Sequence, residues 1–437
     1  MASGELTERT VEPQEEPGGL FSLALLSLLA GGAAGLVGAM FRLSLDYADR
    51  WRGALIYRMH SESVIGLLLV VAICAAAACV AAWLVCRFSP LASGSGIPHV
   101  EAVLAGELPQ APYRLIPVKF IGGVLAIGSG LALGREGPSV QMGASTAHLV
   151  GKVLRRSEDD CKVLLAAGAG AGLATAFNAP IAGAVFVLEE LVRRFDTRIT
   201  IATLGASAGA IAVARVFLGD APDFRVGIVP YTSIGLIPLH LALGFVAGCL
   251  GVVYNRAITG TTTVVDRLPV ALRAALIGAL VGLIAWFAPG VVGGGDAITQ
   301  RTLSGAETGA MLSGVFLLRF ALGPLSYAAG TPGGLFAPIL VLGSQSGLLF
   351  GSICNQWLPA VAPDSNTLAI VGMAAFFTAV VRAPVTGIIL VIEMTAGFTL
   401  LLPMLSACFG AMLVPNLLGN APIYDSLRKR LENKPDR

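Results

Sequence analysis

The chain has 437 residues, 55% of them hydrophobic and only 13% charged, with a net charge of +2 and a mean hydropathy of +0.79. Soluble domains carry about 25% charged residues, so this composition is that of an integral membrane protein with many spans rather than a soluble domain. The apolar runs are continuous rather than alternating, which argues against a transmembrane β-barrel.

Residues 1–19 hold Glu5, Glu8, Glu12, Glu15 and Glu16 against one Arg9. A signal peptide needs a basic start followed by an apolar core. This stretch therefore reads as a short disordered or amphipathic cytoplasmic tail. Residues 20–48 predict a first apolar helix, and residues 63–86 a second. The second alone exceeds the roughly 20 residues needed to cross a bilayer. Next comes Ser93-Gly94-Ser95-Gly96-Ile97-Pro98, a loop of small residues ending in a helix-starting proline. Residues 114–133 form another apolar stretch, with Lys119 inside it.

That stretch leads into Gly134-Arg135-Glu136-Gly137-Pro138, around which the rest of the chain is organised. Pro138 suits the start of a helix, and Gly134 and Gly137 let the backbone approach a ligand closely. A helix N-terminus is a ready anion site. A carboxylate there is a built-in anion, which a free anion could displace or a proton could neutralise. The motif thus sketches a proton-linked anion gate.

Residues 160–190 hold a small-residue helix, a break at Phe177-Asn178-Ala179-Pro180, and a second helix ending in Glu189-Glu190. A polar link follows, roughly 218–233. The second half then repeats the first. Gly168, Ala179-Pro180, Gly183 and Glu189 match Gly372, Ala383-Pro384, Gly387 and Glu393 at an offset of 204. Gly134, Pro138 and Gly143 match Gly334, Pro338 and Gly343 at an offset of 200, the change being read as a difference in loop length. Glu136 falls opposite Phe336. Such symmetry, with Gly/Pro-interrupted apolar segments at matching places, points to a repeat transporter whose binding site lies at the broken helices. The expected division is a tail over 1–19, repeats over 20–218 and 234–418, and a cytoplasmic helix over 419–437. The basic residues Arg428, Lys429, Arg430, Lys434 and Arg437 favour a cytoplasmic C-terminus.

Glu136 and Glu190 are the candidate acids, because ionisable groups within the membrane are costly and functional by default. The plainer reading of Glu136 is an ion pair with Arg135. The plainer reading of Glu190 is a solvated pair with Arg193 or Arg194. Glu393 and Arg382 read as structural partners. Ser95 and Tyr424 offer neutral hydroxyl donors, able to hold an anion without trapping it. Seven scattered cysteines and four histidines give no disulfide framework or metal-ligand spacing. No phosphate loop or zinc motif is present, so no ATP, metal or cofactor is expected. Gly205-Ala206-Ser207-Ala208-Gly209 fits the GxSxG hydrolase pattern, which makes an intramembrane serine hydrolase at Ser207 a rival of another class.

Gly94-Ser95-Gly96-Ile97-Pro98, Gly134-Arg135-Glu136-Gly137-Pro138 and Gly334-Leu335-Phe336-Ala337-Pro338 together resemble the anion-site motifs of the CLC family of chloride channels and chloride/proton exchangers. The resemblance covers about residues 20–428. It implies an all-α polytopic membrane fold, an inverted repeat of tilted and re-entrant helices. It also implies a homodimer with one pore per subunit, in the bacterial inner membrane. On that resemblance Ser95, Gly96, Ile97, Leu335, Phe336 and Tyr424 bind chloride, Glu136 is the external gate, and Glu190 is the internal proton-transfer acid. The implied partners are chloride, protons, the lipid bilayer and a second copy of the chain, with no nucleic acid. The implied activity is chloride/proton antiport, with a passive chloride channel as the rival that Glu190 argues against. Ser95, where nitrate-selective members carry proline, suggests chloride. The motif lacks the asparagine typical of fluoride exporters. His99 stands where many members have an acid. The chain ends soon after Tyr424, so paired CBS domains and nucleotide regulation are not expected. The dimer interface would use the helices after Pro180 and Pro384 and about residues 199–216 and 401–417.

Overall fold

The computed structural model describes residues 17–227, 233–307, 309–359 and 364–432. Most of the acidic tail, part of the polar link and the last five residues lie outside these. The described residues form helices and no strand. The first eight are α1 (Pro17–Met59), α2 (Ser63–Phe88), α3 (Ile97–Leu104), α4 (Leu115–Gly128), α5 (Glu136–Val153), α6 (Glu158–Phe177), α7 (Pro180–Phe186) and α8 (Thr197–Leu218). The next eight are α9 (Ile237–Val265), α10 (Val270–Phe287), α11 (Asp296–Leu303), α12 (Gly309–Ala328), α13 (Phe336–Trp357), α14 (Ser365–Val381), α15 (Pro384–Thr395) and α16 (Leu401–Leu417). A last helix, α17 (Ile423–Glu432), carries Tyr424. Among the described residues, eight helical stretches are long and apolar enough to cross a membrane.

The first helix is longer than the apolar run 20–48, because no proline interrupts it between Pro17 and Met59. The repeat also runs further than the two matching motifs. Each half has a Pro-led 3-10 turn, at Pro90–Ala92 and Pro289–Val291, then a left-handed glycine, Gly96 or Gly295, and then an eight-residue helix. Small residues let equivalent helices pack alike. A Cβ on Gly143 would strike the Gly168 carbonyl, and one on Gly343 the Gly372 carbonyl. The change of offset between the motifs is not a loop alone: α13 has 22 residues where α5 has 18, one added turn.

The structure also relates the halves. Gly134 N–H donates to the Gly334 carbonyl at 2.8 Å, and Gly334 N–H returns to the Gly134 carbonyl at 2.7 Å. Glu189 accepts from the backbone N–H groups of Val385 (3.0 Å) and Thr386 (2.6 Å) and from the Thr386 hydroxyl (2.7 Å). Glu393 accepts from Ile181 (3.1 Å) and Ala182 (2.8 Å). Reciprocal contacts between equivalent residues are the mark of a two-fold axis, so the halves are related by a pseudo-two-fold passing between Gly134 and Gly334. Direct repeats in sequence leave that relation open. Glu393 and Arg382 are thus not partners of one another: Glu393 caps α7, while Arg382 donates to the carbonyls of Ala379 and Asn420.

Candidate functional site

Three breaks in the chain meet at one point. Irregular backbone at membrane depth persists only where protein or a cavity satisfies it. Here the breaks satisfy each other. Gly94 N–H donates to the Thr331 carbonyl and Gly333 N–H to the Gly94 carbonyl, both at 3.0 Å, alongside the Gly134–Gly334 pair. The starts of α3, α5 and α13 are thereby brought together, and their first-turn N–H groups, those of Ile97, Leu335 and Phe336 included, have no helix partner. Gly96 adopts φ +86°, and a Cβ there would run into the Gln141 side chain. A Cβ on Gly137 would run into the Ser95 hydroxyl, so the first turn of α5 lies directly against Ser95.

Into this meeting point the chain puts buried polar atoms without partners. Both carboxylate oxygens of Glu136, the Ser95 hydroxyl and the Tyr424 hydroxyl are buried and make no hydrogen bond among the described residues. The Glu136 carboxylate sits in the bridge between the glycines: a Cβ on Gly334 would come within 3.2 Å of it. It faces the Ala337 N–H at the start of α13. Buried polar groups are normally satisfied, so this cluster has the chemistry of a site that takes an anion. The ring of Phe336 is not idle. It packs at 4.8 Å from Phe377, 5.6 Å from Phe186, 6.0 Å from Tyr424 and 6.1 Å from Phe177, centroid to centroid. Its backbone is thus fixed by an aromatic cluster that sequence inspection did not reveal.

The plainer reading of Glu136 fails here. Arg135 turns away from it and donates to the Ala176 carbonyl at 2.9 Å, with ion pairs to Asp296 at 2.9 Å and Asp223 at 3.3 Å. A cavity of about 130 Å³ reaches Glu136, lined among others by Asp46, Asp49, Arg52, Arg135 and Asp296.

Glu190 lies in a second cluster. The chain changes to a π turn over Val187–Leu191, closed by Val192 N–H to the Val187 carbonyl at 2.8 Å. Such turns recur at functional sites. Here it sends adjacent acids to different tasks: Glu189 to cap α15, and Glu190 inward. Glu190 is 3% exposed, which removes the solvated reading. Arg193 lies 3.8 Å from it and binds Asp425 of α17 more closely, at 2.6 Å. Glu101 on α3 completes the cluster, facing Glu190, Arg193, Asp425 and Arg428, with both carboxylate oxygens buried and unpartnered. Sequence reading passed it over. An acid within the apolar run Ile97–Leu104 was the available signal. Tyr424 links the two clusters: its ring packs on Phe336, and its neighbour Asp425 binds the Arg193 beside Glu190.

Ser207 does not form a nucleophile elbow. It is buried inside α8, and Gly205 and Gly209 are small because they pack against Ser27 and Leu28 of α1. The nucleophile elbow of that pattern needs the serine on a sharp, exposed turn, not inside a packed helix.

The family model described as voltage gated chloride channel matches residues 77–416. The chain belongs to the voltage-gated chloride channel family. Within that family it is 35% identical to the H(+)/Cl(-) exchange transporter ClcA of Salmonella arizonae, over 100% of this chain and 93% of that protein. It is 38% identical to the ClcA of Vibrio parahaemolyticus, over 94% of this chain and 90% of that one. Among solved structures it resembles a slow cyanobacterial Cl−/H+ antiporter, with a TM-score of 0.91 and 31% identity over 95% of this chain and 99% of that one. A eukaryotic CLC transporter shares the fold at a TM-score of 0.81 and 22% identity, over 94% of this chain and 74% of that one. The all-α, multi-pass fold expected from the motifs is therefore the fold of this family.

Proposed function

We propose that this chain exchanges chloride for protons across a bacterial inner membrane, with Glu136 as the gating and proton-coupling carboxylate. The observation that carries the reading is the buried Glu136 carboxylate, unpaired, at the meeting of two helix starts and close to a cavity. Burying a charge without a partner is costly. The carboxylate faces the first-turn N–H groups at that point, and chloride competes for the same donors. Ser95 and Tyr424 then offer their hydroxyl hydrogens to the chloride, and the N–H groups of Ile97, Leu335 and Phe336, with the Gly96 turn, complete its shell. Once displaced into the cavity, Glu136 takes a proton. In the neutral form it no longer competes for the anion donors, and chloride passes.

The C-terminal basic residues favour a cytoplasmic α17. That puts the Glu190 cluster on the inner side, where it accepts protons, and the cavity beside Glu136 on the outer side. A passive chloride channel needs no buried inner acid, and the Glu190–Glu101 cluster favours exchange. The gradients of chloride and protons supply the energy. The outward apolar side chains of Ile181, Val385, Leu405 and Phe409 favour a homodimer built on these faces. Each copy owns a whole set of anion donors.

The test is Glu136→Ala in liposomes. Chloride flux should persist while chloride-driven proton pumping falls to background. Full pumping in the variant would remove Glu136 from the mechanism.

A further inference from the structure

Arg135 and Glu136 are neighbours in the chain, yet they do not pair. A guanidinium beside a buried carboxylate would bind it strongly, and a gate so bound could neither leave its site nor take a proton readily. Two other acids occupy the guanidinium instead. Asp296 is 47% exposed at its side chain, whereas Asp223 is 5% exposed. Asp296 lies closer and acts more strongly on the guanidinium, but it is exposed to solvent; Asp223 is the buried partner.

Asp223 lies on the connector between the halves, after α8. The connector is tied on both sides. Asn178, at the break before α7, donates to the Ala221 carbonyl at 2.9 Å. Phe224 N–H donates to the Met394 carbonyl of α15 at 2.9 Å. Gln300 of α11 exchanges two hydrogen bonds of 2.9 Å with the Arg225 backbone. Arg42 of α1 holds the other oxygen of Asp223 at 2.7 Å. The position of this carboxylate is thus set by both halves of the molecule.

We propose that Asp223 is a positioning residue for the gate: it holds the Arg135 guanidinium off the Glu136 carboxylate, which stays free to move and to accept a proton from the outer side. The proposal rests on the reading of Glu136 as the gate. The charged and titratable groups around the pair are Asp46, Arg42, Asp49 and Arg52 on α1, Asp296 on α11, Asp223 itself, and Tyr424 on α17. Without Asp223 the guanidinium has Asp296 and Glu136 to choose between. Pairing with Glu136 favours the ionised carboxylate, so more acid is needed to protonate it.

The experiment is the dependence of exchange on external pH, with the full chain in liposomes. Asp223→Asn should move the half-maximal external pH about one unit to the acid side, and Asp223→Glu should restore the original profile. Arg42→Gln breaks the other tie of Asp223 but leaves its backbone anchored at Ala221 and Phe224, and should shift the profile less than Asp223→Asn does. An unmoved profile in Asp223→Asn, or an equal shift in Arg42→Gln, overturns the proposal. In a Glu136→Ala background, Asp223→Asn should leave the uncoupled chloride flux unchanged; a changed flux there means that Asp223 acts elsewhere. If Asp223→Asn does not elute as folded protein, Asp223→Ser takes its place in the same assay with the same acid shift expected, and no shift overturns the proposal. The gate reading fails separately, if Glu136→Ala leaves coupled, pH-dependent exchange intact. Lost coupling in Glu136→Ala with an unshifted Asp223→Asn profile sinks the clamp alone.

Discussion

In the first half, the helix at the proposed anion site starts at Glu136; in the second half, its counterpart starts at Phe336. The same substitution of apolar for acidic recurs after the paired breaks, where Met394 stands opposite Glu190. The scaffold around these positions is otherwise kept. Lys119 and Arg319 are 200 residues apart and both fully buried. Lys119 grips the carbonyls of Ala92 and Gly94 before α3. Arg319 grips those of Val291, Gly293 and Gly294 before α11. Each buried cation fixes the loop that launches a short helix, with backbone carbonyls in place of a carboxylate partner. The comparison separates what builds a broken helix from what makes it useful. Glycine turns, proline starts, buried cations and crossed carboxylate caps are shared. At these two matched positions the acids, Glu136 and Glu190, stand in the first half.

The largest expected effect breaks the comparison at Glu190. Glu190→Gln keeps the shape and hydrogen bonding of the side chain but cannot carry a proton. It should abolish proton movement and spare chloride flux. Met394→Leu, at the matching position, should leave both intact. Normal coupling in Glu190→Gln would return Glu190 to a structural role, and lost coupling in Met394→Leu would mean that the second half shares the proton path.

The next effect lies at the outer faces. Ile181 and Val385 are equivalent residues, 54% and 50% exposed at the starts of α7 and α15. Ile388, further along α15, is only 5% exposed and packs inside its own chain, so it is not an interface position. Lipid is as apolar as leucine, so a dimer in the membrane rests on matched shape. Trp at both Ile181 and Val385 should yield monomers on size-exclusion chromatography that still exchange chloride for protons. Inert monomers would place part of the site across the interface.

The smallest effect sharpens the symmetry itself. Glu189→Ala and Glu393→Ala each remove a carboxylate from the start of a helix in the opposite half. Each should cost roughly 1–2 kcal/mol, the usual worth of a cap with a favourable helix dipole. Glu189→Ala should cost slightly more, because the Thr386 hydroxyl also loses its partner. Thermal melts of the purified protein read both. A large loss from one and none from the other would contradict the reciprocal arrangement.

Much of this was legible in the sequence, for definite reasons. Glycine and proline mark where a membrane helix breaks, and a carboxylate beside them is conspicuous in an apolar chain. Hence the Gly134–Pro138 motif, the Glu189-Glu190 pair and the repeat were visible. What stayed hidden depends on contacts distant in sequence. Nothing near Arg135 signals that Asp223 and Asp296 will hold it, 88 residues away in the first case. The π turn that parts Glu189 from Glu190 carries no local signature. The extent of the repeat was obscured because loop-launching cations differ in type, Lys119 against Arg319, while their carbonyl partners are backbone.

Coupled exchange is the central claim, and the wild-type protein in liposomes tests it most directly. An outward chloride gradient is imposed with no proton gradient, and internal pH is recorded together with chloride efflux. The expected result is proton movement into the vesicles against the gradient it builds, stopping when chloride is dissipated. Chloride efflux at full rate with no uphill proton movement would contradict the account and leave a passive anion pathway.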